Sequence, residues 1–78
     1  MKAADKKFLK MLGKRIKELR EDQGISQDQL GYECDMHRTN INRIEKGHVS
    51  TGALKLLHIA KALNVSVKEL FNFPNDEK

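Results

Sequence analysis

The stretch that decides the fold is Ser26–Gly47, SQDQLGYECDMHRTNINRIEKG, which predicts a short helix, a tight turn and a second helix. The first helix is expected over about Gln27–Glu33, because Ser26 can cap it through a capping box with Gln29. The second helix is expected over about Arg38–Lys46 and is followed by a glycine, a residue that commonly ends helices. The pattern therefore predicts a helix-turn-helix unit.

The second of these helices has one apolar and one polar face. On a wheel of about 100° per residue, Ile41 and Ile44 fall on the side that should meet the core. The opposite arc contains no acid and holds five polar residues, Arg38, Thr39, Asn42, Arg43 and Lys46. Arginine can bond guanine, asparagine can bond adenine, and a helix fits the major groove. The arc is therefore interpreted either as a DNA-reading surface or as a solvated helix face.

Helices are also predicted on both sides of this unit. An amphipathic helix precedes it and ends at Gly24, and its apolar residues recur at helical spacing, Phe8, Leu9, Leu12, Ile16 and Leu19. A fourth helix ends at Asn64, and its start is ambiguous because Ser50 has cap spacing while Gly52 interrupts the pattern.

A fifth, short helix starts at the capping box formed by Ser66 and Glu69 and ends near Asn72. No run alternates at period two for long enough to be a strand. The expected fold is an all-α, compact five-helix domain that spans residues 1–78. Its core is expected over about 6–72, after a short basic extension, with a frayed tail at 75–78.

The composition is that of one small, basic domain. The 78 residues include 15 Lys or Arg and 11 Asp or Glu, for a net charge of +4. Residues 1–20 carry net +6 and residues 36–68 net +5, with an acidic segment between them. The two basic segments indicate either an anion-binding face or ordinary solvated surface.

Several classes of protein are excluded by what the sequence lacks. Cys34 is the only cysteine, so no disulfide scaffold is expected. The spacings of His37, His48 and His58 fit no helical ligand pair, so we expect no metal. No catalytic or phosphate-loop motif appears, which predicts a protein that is not an enzyme and has no cofactor. No apolar run approaches the length of a membrane span, and no secretory signal is evident, so a cytoplasmic protein without membrane contact is expected.

Three blocks of the sequence resemble the phage repressor/Cro-type helix-turn-helix family. They read ISQDQLG from Ile25, RTNINRIEKG from Arg38 and IAKALNVSVKELF from Ile59, in order and at the expected spacing over about residues 12–72. The resemblance implies a lambda-repressor-like DNA-binding domain and a sequence-specific transcriptional regulator that binds double-stranded DNA. As a stand-alone domain of this size, the chain is similar to restriction–modification controller proteins, to small phage repressors and to some antitoxins. An antitoxin-like module that binds a partner protein is therefore the alternative function.

The resemblance also implies roles by position. The base-reading positions are Arg38, Thr39, Asn42 and Arg43. The positions near the DNA backbone are Gln27, His37, Asn40 and Lys46. Arg20 and Glu45 match a pair that connects the helix ending at Gly24 to the helix over Arg38–Lys46, which is the recognition helix of this family. The charge pattern supports this pair independently, since Glu45 would otherwise place a bare negative charge beside the DNA-facing arc.

Three positions depart from the family pattern. Asp35 stands where the turn usually has glycine, and Asp adopts the left-handed conformation less readily. His37 stands where a Ser or Thr usually caps the recognition helix, so a weaker cap is expected. Thr51-Gly52 stands where Pro followed by Ser or Thr is usual.

A homodimer is expected, because one helix-turn-helix unit reads too few base pairs to find a site in a genome. Two copies related by a two-fold axis would read a palindrome. The expected contact surface comprises Val67, Phe71 and Phe73, while Leu70 points into the monomer core. The alternative is that Phe73 folds back over the fourth helix.

Overall fold

Five α-helices make up the part of the chain that the computed structural model describes, residues 2–74. They are α1 (Ala3–Asp22), α2 (Gln27–Cys34), α3 (Arg38–Glu45), α4 (Ala53–Ala62) and α5 (Val67–Leu70). No strand occurs within this range, and the prediction of an all-α five-helix fold is confirmed. The predicted frayed tail at 75–78 lies outside the described residues.

The helix boundaries differ from the predicted ones by a few residues. The first helix begins at Ala3, so the expected basic extension is part of α1. The second continues to Cys34, the third ends at Glu45, and the fifth ends at Leu70 rather than near Asn72. The fourth begins after Gly52, whose extended backbone forms the N-cap without a side-chain bond. Ser50 is therefore not the cap, and that candidate start was wrong.

In each of the two predicted capping boxes, the hydrogen bond accepted by the serine side chain is formed. Oγ of Ser26 accepts from the backbone N–H of Gln29 at 3.0 Å, and Oγ of Ser66 accepts from that of Glu69 at 3.3 Å. The side chain of Gln29 extends along α2, where its Nε2 donates to Oε2 of Glu33 at 2.8 Å. Each serine still satisfies one N–H group that the first turn of a helix leaves free.

The core is formed by residues from all five helices. Its buried apolar residues are Leu12, Ile16, Leu30, Cys34, Ile41, Ile44, Leu56, Ile59, Ala60, Leu63 and Leu70. Helix α3 packs on both α1 and α2, and α5 packs on α4 and α1. The chain therefore holds α3 on two sides while its outer face stays free.

Two glycines allow α1 and α3 to approach each other closely. A Cβ atom on Gly13 would meet the backbone oxygens of Ile44 and Glu45 and would lie 2.7 Å from the Glu45 carbonyl carbon. A Cβ on Gly47 would lie 2.6 Å from Cα of Lys10, and Gly47 also has a φ of 73°. Any larger residue at these positions would force the helices apart. These contacts fix the end of α3 against α1.

Candidate nucleic-acid interface

Helix α3 presents the polar face that its sequence predicts. Ile41 and Ile44 are buried on the inner side, and Asn42 is half-buried at the edge. The remaining polar residues of the arc are exposed, Arg38, Thr39, Arg43 and Lys46. Hydrogen-bonding and cationic groups therefore extend along the whole outer face of α3. Groups of these kinds can bind base edges and phosphates.

The turn between α2 and α3 is tight, and Asp35 makes it without glycine. Asp35 adopts the left-handed conformation, with φ 56° and ψ 44°. The N–H of Met36 then donates to the carbonyl of Gly31 at 2.8 Å. A Cβ on Gly31 would lie 2.5 Å from the carbonyl oxygen of Met36, so only glycine fits at that point. The departure at Asp35 thus leaves the turn geometry intact, while Gly31 carries the steric requirement.

His37 caps the recognition helix with its ring. Nδ1 of His37 accepts a hydrogen bond from the backbone N–H of Thr39 at 3.2 Å, and the His37 backbone is extended, as at other N-caps. The same nitrogen lies 3.2 Å from Oγ1 of Thr39. An imidazole therefore performs the function that a Ser or Thr hydroxyl usually performs. His37 therefore stabilises the first turn of α3 while its own side chain remains exposed.

Arg20 and Glu45 form a bidentate ion pair between α1 and α3. Nε of Arg20 lies 2.6 Å from Oε2 of Glu45, and its NH2 group lies 3.1 Å from Oε1. The NH1 group of Arg20 donates to the carbonyl of Ile25 at 2.7 Å. The hydrogen bond to Glu45 raises the pKa of Arg20 above its usual value, although burial acts in the opposite direction.

This ion pair is buried. The side chains of Arg20 and Glu45 are only 10% and 2% exposed. The sequence places the two residues on facing helices but does not show how deeply their side chains are buried. That burial depends on the close contact between α1 and α3 at Gly13. Glu45 is therefore neutralised inside the protein and does not oppose an anion on the outer face of α3.

The first turn of α2 contacts the polar face of α3. Gln27 donates through Nε2 to Oε1 of Glu45 at 3.0 Å and accepts through Oε1 from Nδ2 of Asn42 at 3.4 Å. Asp28 lies 3.5 Å from Nε of Arg38, both side chains being exposed. A cleft of about 230 Å³ lies at this junction, lined by Gln27, Arg38, Thr39 and Asn42.

The predicted site residues do not all lie at this cleft. Asn40 instead lines a groove beside the loop that precedes α4, together with Thr51 and Lys55. His37 and Lys46 are exposed at the two ends of α3. Asp28 was not predicted, since an exposed acid in a first helical turn carries no signal that it will meet a residue ten positions away.

The aromatic residues near the end of the described chain pack on α1. The ring centroid of Phe8 lies 6.1 Å from that of Phe71 and 5.6 Å from that of Phe73. Phe73 is half-buried against the core, and its part in a dimer contact stays a prediction. It folds back onto α1, where its ring lies beside Phe8 and lines a groove with Met11 and Arg15. Val67 and Phe71 are 36% and 40% exposed, and Leu70 is fully buried as expected.

Within residues 2–74 the structure contains no group of His, Cys, Asp and Glu that could hold a metal ion. No helix in that range is long and apolar enough to cross a membrane. The single thiol, that of Cys34, is buried in the core, and burial raises its pKa. The thiol therefore stays protonated at neutral pH and acts as a small apolar group.

Comparison with known proteins connects this geometry to regulators of transcription. The sequence profile described as helix-turn-helix matches residues 16–70. The chain is similar to control protein C.BamHI of Bacillus amyloliquefaciens, at 36% identity over 64 residues, 81% of this chain and 79% of that protein. It is also similar to the competence pilus inhibition repressor of Acinetobacter baylyi, at 33% identity over 77% of this chain and 54% of the repressor.

A solved structure shows the same fold. The restriction–modification controller protein C.AhdI of Aeromonas hydrophila superposes with a TM-score of 0.80 and 32% sequence identity. The match covers 81% of this chain and 96% of that one. These relatives are a control protein, a repressor and a restriction–modification controller protein.

Proposed function

Because the chain belongs to the helix-turn-helix family of DNA-binding transcriptional regulators, we propose that it recognises a palindromic operator as a homodimer and reads it through the major groove with α3. The observation that carries this proposal is the acid-free polar face of α3, held rigidly by packing on α1 and α2. In helix-turn-helix proteins the second helix enters the major groove with its amino-terminal residues nearest the bases. The controller protein C.AhdI, which has this fold, is a further support.

The proposed contacts follow from position on α3 and beside it. Base edges are read by four side chains of α3, Arg38, Thr39, Asn42 and Arg43. The DNA backbone is held by residues at the margins of that face, Gln27, His37, Asn40 and Lys46. The exposed positions of Arg38 and Lys46 at opposite ends of the helix support different roles for them. The amino-terminal residue lies nearest the bases, while the carboxyl-terminal one reaches toward the backbone.

Replacement of Arg38 and of Lys46 by alanine separates these two roles. Arg38→Ala should cost about 1–3 kcal/mol of discrimination at one base pair, because the bidentate contact to guanine is lost. Lys46→Ala should weaken binding to all sequences alike and reduce the slope of log K against log salt by about one. Fluorescence anisotropy on the selected operator and its single-base variants, at several salt concentrations, measures both effects. Unchanged affinity and slope in both variants would contradict the proposed docking.

The homodimer is proposed to form through Val67, Phe71 and Phe73 around α5. Support comes from the exposure of two large apolar residues on this short helix and its exit, Val67 and Phe71. Phe73 lies at the margin of the same surface, where it contacts Phe8. Burial of this apolar surface between two copies would supply the hydrophobic contribution that a small domain otherwise lacks. A two-fold axis there would leave both recognition helices free.

Phe71→Ser is expected to convert the dimer to a monomer, because it removes the largest exposed apolar group of the proposed contact surface. Sedimentation equilibrium at micromolar concentration should give half the mass of the unsubstituted protein. Leu54→Ser is the matched control, since Leu54 is also a large apolar residue, 64% exposed, but lies on α4 near Cys34. Equal masses for Phe71→Ser and the unsubstituted protein, or a protein that is monomeric even on its operator, would contradict this interface.

A further inference from the structure

Gln27 connects the buried ion pair to the polar face of α3. Its Nε2 donates to Oε1 of Glu45 at 3.0 Å, and its Oε1 accepts from Nδ2 of Asn42 at 3.4 Å. Glu45 is itself fixed by its two hydrogen bonds from Arg20. A chain of hydrogen bonds therefore runs from the core, through Gln27, to a side chain that faces the cleft.

The carboxylate at the inner end sets the direction of every bond in this chain. An ionised carboxylate only accepts, so Gln27 has to turn its NH₂ group toward Glu45 and its carbonyl oxygen outward. That oxygen also only accepts, so Asn42 has to present its NH₂ group to Gln27. The orientation of both amides follows from the charge of Glu45, which removes the usual ambiguity between amide nitrogen and oxygen. Oδ1 of Asn42 consequently points away from Gln27.

We propose that Gln27 is a positioning residue for base recognition, which holds the amide of Asn42 in the orientation that suits adenine; this rests on the proposed function. Adenine presents an acceptor and a donor side by side in the major groove, whereas guanine presents two acceptors. The NH₂ group of Asn42 has two hydrogens, one for Gln27 and one for the base. With Oδ1 also free, the amide offers one donor and one acceptor, which match adenine.

Without Gln27 the amide of Asn42 would be free to rotate. It could then turn its NH₂ group toward the two acceptors of guanine, and the preference for adenine would fall. A direct contact of Gln27 with the DNA backbone, the role implied by its family position, has a different signature. Contacts to phosphate carry no sequence information, so their loss weakens binding to every sequence equally.

Gln27→Met distinguishes the two roles, because methionine keeps the length of the side chain and removes both hydrogen bonds. The probe is the operator selected by the unsubstituted protein, together with duplexes in which each adenine pair is replaced by a guanine pair. Asn42→Ala first identifies the position that Asn42 reads. We expect Gln27→Met to lower the preference for adenine at that position by about 5-fold or more, since a bidentate base contact contributes about 1–3 kcal/mol of discrimination. Any loss of the proposed backbone contact of Gln27 should weaken binding to all duplexes equally and so leave the ratio between the adenine and guanine duplexes unaffected.

Two controls test whether the effect passes through Asn42. Gln29→Met should leave the preference intact, because Gln29 lies on the same helix but bonds Glu33 rather than α3. In the Asn42→Ala background, Gln27→Met should cause no further loss of preference at that position. Losses that add, or an equal loss on all sequences with a smaller salt slope, would overturn the positioning role.

A measurement on the unsubstituted protein covers the case in which Gln27→Met fails to fold. One of the two Nδ2 hydrogens of Asn42 should show a stronger nuclear Overhauser effect to the side chain of Gln27 than the other. Equal effects from both hydrogens, as expected when the amide group samples several χ2 rotamers, would overturn the inference. A protein that selects no sequence from random duplex DNA would overturn the proposed function itself, whereas a selective protein whose Gln27→Met variant keeps its adenine preference would overturn this inference alone.

Discussion

Glu45→Ala is expected to lower the free energy of unfolding by about 3–5 kcal/mol, the effect typical of removing one partner of a buried ion pair. The side chain of Arg20 is 10% exposed, and alanine would leave its charge without the carboxylate that neutralises it. Gln27 would lose a hydrogen-bond acceptor as well. A chain of 78 residues has a total stability of about 4–12 kcal/mol on the usual scale per residue, so the variant should lose about a quarter or more of it.

Urea denaturation followed by circular dichroism measures this loss. Asp28→Ala is the matched control, because it removes one partner of an exposed ion pair and should change stability by about 0.5 kcal/mol or less. The double replacement Arg20→Met with Glu45→Leu should recover most of the lost stability, since it leaves no unpaired charge in the interior. A Glu45→Ala variant as stable as Asp28→Ala would contradict the buried position of this pair.

The local features of the fold could be predicted from the sequence because they depend on neighbouring residues. Serine caps, such as Ser26, and the residues that end helices, such as Gly24, act over three or four positions. The apolar spacing of Ile41 and Ile44 likewise gave the inner face of α3. Propensity could not choose between Ser50 and Gly52 as the start of α4, because the N-cap is Gly52, which has no side chain to signal a cap.

Features that depend on distant contacts were beyond the sequence. The pairing of Arg20 with Glu45 was expected, but its burial follows from the absence of a side chain at Gly13, 25 or more positions from α3 in the chain. The packing of Phe73 on α1 could not be predicted for the same reason, since its partner Phe8 lies near the other end of the chain. The hydrogen-bonded position of Gln27 also needs three helices to be in place.

The central claim is that the polar face of α3 reads DNA sequence. Its face carries three cations, Arg38, Arg43 and Lys46, and its nearest acid on the helix, Glu45, is already paired inside the protein. Cations alone would give binding that depends on salt but not on sequence. A rigid helix with arginine and asparagine toward the bases should add discrimination of about 1–3 kcal/mol for each well-placed contact. Two copies on one site would double the number of such contacts.

Selection of bound sites from random duplex DNA by the unsubstituted protein tests this claim most directly. We expect enrichment of one palindrome whose half-sites lie about one helical turn apart, about 10–10.5 base pairs between centres. At physiological salt the enriched duplex should bind at least about 10³-fold more tightly than unrelated DNA of the same length. No enriched sequence, or an enriched duplex that binds no better than unrelated DNA, would contradict the account.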